Sequence, residues 1–467
     1  MTAQARITTP LKSVTAFDVF DPYDGSRIST LAVSGPAEVT RAVARARSAA
    51  NQFRDSTPFE RRHLINKVAD LIRRDRDALA ATVCAEVGKT IREARREIER
   101  AQNTLRLAGD AATFLDGEVM HCGIVDGGAD RQAVITYVPT GVVAAITPFN
   151  YPVNLLCHKL GPALAAGNAV VLKPSPKAPL AAQHVVELCR EAGAPEGLVE
   201  IVHGGAETAL DLARSEIDLL SFTGGPGAGL ALKQASGLVQ CLMELGGNDP
   251  LFVLPDGDLE AAAATAVAQR YEIAGQSCAA VKKLYVHKAV KEPFVERVLA
   301  LANALAYGNP KDLDTDMGPV IDEAAAADLE DRLAEAVGLG GRVLHGGERE
   351  GTLVQPTVID GVDGRARLLS TETFGPVLAL REFTDTNAAI DEVNASSYGL
   401  QAGVFSNDHG AIKTFSRRLQ VGGVMVNEGP DFRAGHVPFG GIKKSGLGRE
   451  GVRIAVREMS ETKVVID

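Results

Sequence analysis

The 467-residue chain is short of most signatures that assign a protein on sight. Its six cysteines, Cys84, Cys122, Cys157, Cys189, Cys241 and Cys278, are scattered and form no C-x-x-C pair. That excludes a disulfide scaffold and a cysteine-rich zinc site, and it suits a reducing compartment. None of the nine histidines stands in an H-E-x-x-H, which argues against a zincin, and no metal is expected. There is no G-x-x-x-x-G-K-[ST] and hence no P-loop. No run of about 18 apolar residues is present, so no membrane span is expected. Met1 to Pro10 lacks the apolar core of a signal peptide, and the expected location is cytoplasmic. Positive charge is not in excess. Lys and Arg number 49 against 59 Asp and Glu, a net charge of −10 that argues against a nucleic-acid partner. Low-complexity tracts and internal repeats are also missing.

What is there reads as an ordinary globular chain, 45% hydrophobic and 23% charged. At roughly 150 residues per domain its length predicts about three domains. Thr57-Pro58-Phe59-Glu60 forms a capping box with proline at the first helical position. Leu64, Val68, Leu71 and Ile72 then recur at helical spacing. A second helical pattern runs from about Arg92 to Phe114. From Gly141 short apolar runs alternate with amphipathic stretches. Val142–Thr147, Ala169–Lys173, Val199–His203 and Leu219–Thr223 read as strands, with a helix from Pro179 to Ala192. Such alternation predicts a parallel sheet whose ligands bind beyond the carboxyl ends of its strands. A second alternation follows Leu245-Gly246-Gly247-Asn248, with strand candidates Pro250–Leu254, Lys283–His287, Pro376–Phe383 and Gly423–Asn427. The tail Thr462–Ile466 reads as a strand that needs a partner, expected on another subunit.

Four fragments carry possible chemistry. Gly224-Gly225-Pro226-Gly227-Ala228-Gly229 follows a strand and precedes a helix, where backbone N–H groups suit a pyrophosphate, although a plain turn has the same composition and the spacing is not G-x-G-x-x-G. Cys278, in Gly275-Gln276-Ser277-Cys278-Ala279, is either a small core residue or a nucleophile exposed in a polar loop. Glu244 ends an apolar run at a glycine-flanked turn. Asn150, between Pro148 and Pro152, is either a turn residue or a rigidly held oxyanion donor.

These fragments occur together and in order, with Pro148-Phe149-Asn150-Tyr151-Pro152, Lys159-Leu160-Gly161-Pro162-Ala163-Leu164-Ala165-Ala166-Gly167-Asn168, Leu172-Lys173-Pro174-Ser175, Phe222-Thr223-Gly224, Glu372-Thr373-Phe374-Gly375-Pro376 and Pro438-Phe439-Gly440-Gly441-Ile442-Lys443-Lys444-Ser445-Gly446. Over essentially its whole length the sequence resembles the aldehyde dehydrogenase superfamily. The resemblance implies an α/β fold with a Rossmann-like cofactor domain (1–114 and 137–245), an α/β catalytic domain (246–445) and a small β oligomerisation element (115–136 and 446–467). It implies a homodimer or homotetramer. It makes Cys278 the nucleophile, Asn150 and the Cys278 backbone N–H the oxyanion donors, and Glu244 the base that activates water. For the cofactor it implies Thr147, Pro148, Phe149, Lys173, Ser175, Lys177, Phe222, Thr223, Gly224, Gly225, Leu245, Gly246, Glu372 and Phe374. Two departures bear on that cofactor. Gly225 stands where serine is frequent, so backbone donors must serve. Pro176 stands where NAD-preferring members often carry an acid, and Lys177 adjoins it. NAD is the expected cofactor and NADP stays open.

By the same resemblance the substrate funnel is walled by Arg100, Tyr151, His158, Ser277, Arg433 and Phe439. Two arginines and a histidine facing one pocket predict an anionic substrate, unless Arg100 pairs with Glu97 or Glu99 and Arg433 is a surface residue. The pattern resembles the branch of non-phosphorylating glyceraldehyde-3-phosphate, lactaldehyde and phosphonoacetaldehyde dehydrogenases. Phosphate- and phosphonate-handling members often carry arginine where Ser277 stands, so a shorter or less charged anion is expected. Phosphonoformaldehyde or phosphonoacetaldehyde is the sharpest expectation; the alternatives are lactaldehyde or a succinate-semialdehyde-type substrate. On this reading Arg433→Ala raises KM for an anionic aldehyde far more than for propanal. The competing classes are a non-catalytic protein on this fold and a thiol hydrolase or acyltransferase. Neither needs the intact set of Cys278, Glu244, Asn150, Lys173 and Glu372.

Overall fold

Thr57 and Thr90 each open a long helix in the same way. Their hydroxyls accept the backbone N–H three residues on, while Glu60 and Glu93 reach back to the capping threonine. The helices so started, Pro58–Arg74 and Ile91–Ala111, bury one apolar stripe each, and the second stops three residues short of Phe114. The computed structural model describes residues 15–467, so the segment Met1 to Pro10 lies outside the described residues.

Five strands form the parallel core of a six-stranded sheet. Their order is Val199–Ile201, Ala169–Lys173, Val142–Ile146, Leu219–Thr223 and Gln240–Glu244. The three central strands are buried at every residue, as expected where helices cover both faces. The chain winds outward from Val142–Ile146 in one direction and returns through Leu219–Thr223 in the other. That reversal opens a crevice at the carboxyl ends of these two strands. A second sheet of seven strands is ordered Arg342–His345, Thr357–Asp360, Val377–Phe383, Lys283–His287, Pro250–Val253, Gln401–Phe405 and Gly423–Val426; only the first is antiparallel to its neighbour.

The tail differs from expectation in two respects. Its strand, Ser460–Ile466, finds its partner in its own chain, along Gln132–Pro139, with Glu118–His121 completing an antiparallel three-stranded sheet. The Asn168 side chain donates to the Met459 carbonyl at 2.8 Å and fixes where that strand begins. Gly446–Leu447, at the head of the tail, instead pairs antiparallel with Gln240–Glu244 at the edge of the six-stranded sheet.

Candidate active site

Cys278 lies on a loop that enters the crevice from the second sheet's side, and the loop is tightly held. After the helix Leu259–Tyr271 the backbone turns through left-handed conformations at Ile273 (φ 51°), Ala274 (φ 49°) and Gly275 (φ 71°). For non-glycine residues that costs roughly 1–2 kcal/mol each. Neighbours compensate. Glu93 Oε1 accepts the Ile273 N–H at 2.8 Å, and the Gln276 side chain donates to the Ile273 carbonyl at 3.0 Å and accepts the Ile321 N–H at 2.9 Å. A Cβ on Gly275 would lie 2.3 Å from the Gly375 carbonyl oxygen, so only glycine fits there. Beyond the turn, the buried Lys282 ammonium donates to the carbonyls of Ser277 (2.8 Å) and Cys278 (2.6 Å). Asn150 Nδ2 donates to the Gln276 carbonyl at 2.8 Å, one bond from a group with two N–H donors.

One cleft of about 500 Å³ contains Cys278, Asn150 and Glu244 together. Burial pushes the Cys278 thiol up, with the Asp431 charge next in effect. Glu244 ends the strand Gln240–Glu244, is only 4% exposed, and has one carboxyl oxygen without a partner. Burial and the neighbouring Glu450 push it well above the carboxylate range, opposed by Arg433 and Lys159. Gly440, at φ +150°, would place a Cβ 2.6 Å from Glu244 Oε1 and so leaves this carboxyl its space.

Towards the six-stranded sheet the cleft has the chemistry of a dinucleotide site. Thr147 and Thr223, at the ends of the two strands flanking the reversal, carry buried hydroxyls without partners. Gly225 precedes the helix Pro226–Ser236, whose first N–H groups no side chain caps, and a Cβ there would meet only open space. Lys173 donates to the Pro174 and Gly204 carbonyls at 3.0 and 2.8 Å, and burial lowers its pKa to about 8. Glu372 accepts the Gly247 N–H at 3.2 Å and lies 3.9 Å from Lys282 Nζ. Phe149 and Phe374 meet edge to face at 5.9 Å. Pro148, Ser175, Phe222, Gly224, Leu245 and Gly246 complete the expected wall. Lys177 does not belong to it. This lysine lines a neighbouring cavity and pairs with Asp322 at 2.9 Å.

At the far end stand Arg100, Tyr151, Ser277, Arg433 and Phe439, as expected. Arg100 lies 5.6 Å over the Tyr151 ring and makes no ion pair among the described residues. Glu97 is already taken, paired with Lys89 at 2.5 Å and accepting the N–H groups of Val153 and Asn154. Arg433 is not a free surface residue. It is stacked 4.2 Å over Phe439 and paired with the buried Glu450 at 2.8 Å, and Glu450 also holds Lys159 at 2.9 Å. His158 departs from the expectation. Its helix, Asn154–Ala166, turns it inward beside Thr104 (3.4 Å), behind the cleft wall. Burial and Arg433 hold its pKa well below the usual histidine range, so it adds no charge. Residue types alone miss Asp431, Glu450 and Glu93. Acids whose partners lie far away in sequence give no local signal, whereas Lys159, a lone lysine inside the mostly apolar run 155–166, gives one.

The aldehyde dehydrogenase family model matches residues 9–465. The chain is 39% identical over 452 residues to the 3-sulfolactaldehyde dehydrogenase of Priestia aryabhattai, covering 96% of this chain and 94% of that protein. It is 37% identical over 451 residues to the sulfoacetaldehyde dehydrogenase of Neptuniibacter caesariensis, covering 96% and 99%. The crystal structure of the NADP-dependent glyceraldehyde-3-phosphate dehydrogenase from Bacillus halodurans C-125, complexed with NADP, superposes with a TM-score of 0.94 at 34% identity, over 97% of this chain and 95% of that one. The fold, the cleft and these likenesses together place the chain in the aldehyde dehydrogenase family, as an NAD(P)+-dependent oxidoreductase.

Proposed function

We propose that this enzyme oxidises a short aldehyde carrying a single negative charge at its other end, best a sulfonate, to the corresponding acid. The observation that carries the proposal is Arg100 and Arg433 on the wall of the cleft that holds Cys278. Arg433 is already paired with Glu450, which also holds Lys159, whereas Arg100 makes no ion pair among the described residues. One unpaired arginine matches a monoanionic sulfonate better than the doubly charged phosphonate that the sequence favours, and it agrees with Ser277 standing where a further arginine would be.

In the chemistry we propose, the Cys278 thiolate attacks the carbonyl carbon, and the new oxyanion is held by the Asn150 amide and the Cys278 backbone N–H. Preorganised donors of this kind contribute roughly 3 kcal/mol each. Bound NAD(P)+ supplies the acceptor for the hydride that leaves this carbon, after which Cys278 carries a thioester. Glu244 then takes a proton from water as the water oxygen bonds to the thioester carbon, and the carbon–sulfur bond breaks to release the acid and the Cys278 thiolate. Burial and Glu450 bias Glu244 towards its protonated form, whereas Lys159 and Arg433 favour the carboxylate that serves as base. Thr147, Thr223, Lys173, Glu372 and the Gly224–Gly225 turn hold the cofactor. With no acid at Pro176 to repel a 2′-phosphate, NADP is accepted beside NAD. The strands at 118–121, 132–139 and 460–466 form the surface of a homodimer. Residues 1–114 with 137–245 act as the cofactor domain and 246–445 as the catalytic domain.

The test is a kcat/KM panel of sulfo-, phosphono-, carboxy- and neutral aldehydes with both cofactors, on wild type and Arg100→Ala. Loss of one charged hydrogen-bond donor should lower kcat/KM for sulfoacetaldehyde roughly 10- to 100-fold and leave propanal within about threefold. Equal losses on both would refute the anionic substrate.

A further inference from the structure

Two unpartnered atoms of opposite kind sit at the substrate end of the cleft. Arg433 Nε is a buried donor without an acceptor, and Asp431 Oδ2 is a buried acceptor without a donor. Both residues line the cleft with Cys278 and Ser277. Asp431 is held in place from behind, its backbone N–H donating to Gln269 Oε1 at 2.9 Å, while Gln269 itself donates to Glu428 at 3.1 Å. The arginine's orphan suits the anion already proposed. The carboxylate's orphan does the opposite, since it repels an anion and bonds a donor. A plain anionic aldehyde therefore leaves Asp431 Oδ2 without a donor in a closed site, the Ser277 side chain acting on this carboxylate notwithstanding, whereas one with a hydroxyl between its anion and its carbonyl satisfies both orphan atoms at once.

We infer that Asp431 is a specificity-determining residue that accepts a hydrogen bond from a hydroxyl on the carbon next to the aldehyde, so that the preferred substrate class is 2-hydroxy aldehydes with a terminal monoanion. The inference rests on the proposal that the arginines hold the anion. Burial, with Glu272 nearby, raises the Asp431 pKa to about 6, which leaves the accepting carboxylate in the majority at neutral pH.

The probe pair is 2-hydroxy-3-sulfopropanal and 3-sulfopropanal, compared by the ratio of their kcat/KM values. Because the ratio is internal to each preparation, a partly unfolded variant does not distort it. Wild type should favour the hydroxylated aldehyde about tenfold or more. Asp431→Ala should bring the ratio near one, and the isosteric Asp431→Asn should lower it severalfold. A wild-type ratio near one, or a ratio unchanged in both variants, overturns the role of Asp431. Lactaldehyde and propanal, run alongside, separate the two readings. If the sulfonates gain nothing over this neutral pair, the anion proposal fails, while the lactaldehyde-to-propanal ratio and its response to the variants still decide for or against Asp431.

Discussion

Arg100 and Arg433 bring the same formal charge to the cleft, but their surroundings separate them. Arg100 stacks on the Tyr151 ring and makes no ion pair among the described residues, with Asp431 and Glu272 acting on it only from beyond ion-pair distance, so its removal should act chiefly on anionic substrates. Arg433 is bonded to Glu450, and Glu450 in turn raises the Glu244 pKa. A second effect therefore joins the selective one that the sequence predicts for Arg433→Ala. Besides the larger rise in KM for sulfoacetaldehyde than for propanal that follows from the lost anion contact, the variant leaves Glu450 with Lys159 alone and should lower kcat for both aldehydes, moving the alkaline rise of kcat to higher pH; an unshifted pH–rate profile would contradict this second effect. Cys278 gives a second residue-scale prediction. Since its thiol is raised above the free value of about 8.5, the thiolate fraction is small at neutral pH and should grow roughly tenfold per pH unit. Alkylation by iodoacetamide should climb with that slope from about pH 6 to about pH 9, and a flat rate would mean a thiolate already formed. Cys278, Glu244 and Asn150, the proposed nucleophile, base and oxyanion donor, are legible in sequence because each sits in a distinctive local string. Glu450 and Asp431 are not, because their meaning lies in partners that only folding supplies: Lys159, 291 residues away, and Gln269, 162 residues away.

At the scale of elements, apolar runs bounded by turn residues mark Ala169–Lys173, Leu219–Thr223 and Lys283–His287 to the residue. The pattern fails where an element is too short to have a period, as at Gly446–Leu447, or where its conformation is imposed from outside. The turn at Ile273–Ala274 is of the second kind. Left-handed isoleucine has no local cause, and its backbone is held by a glutamate 180 residues earlier. Glu93 divides its two oxygens between this turn and the cap at Thr90, linking the start of the helix Ile91–Ala111 to the loop that carries Cys278. Glu93→Ala should destabilise the protein by about 2–4 kcal/mol from the lost cap and the orphaned N–H. It should also lower kcat about tenfold with little change in KM for the cofactor. Thermal unfolding and steady-state kinetics check the two parts, and a lower melting temperature with unchanged kcat would make Glu93 purely structural.

Across the whole molecule, the strand Ser460–Ile466 is an edge strand with apolar residues exposed on both faces: Val464 52%, Val465 50% and Ile466 58%. Val119, Met120 and Ile124 add to the exposed apolar surface of the same region. An uncovered apolar edge invites pairing. Val464→Asp and Val465→Asp, on opposite faces, should each shift the protein towards monomer in sedimentation velocity; association unchanged in both would place the subunit interface elsewhere. The net charge of −10 describes the chain as a whole and says nothing of the cleft, whose wall carries Arg100 without an ion pair among the described residues and Arg433 paired with Glu450. The cleft is also a single void, running from Ser175 and Pro176 past Cys278 to Arg100. For inhibitor design on the proposed reading, that continuity makes one linear molecule sufficient: a nucleoside at one end, a sulfonate at the other, and between them an electrophile that meets the thiol.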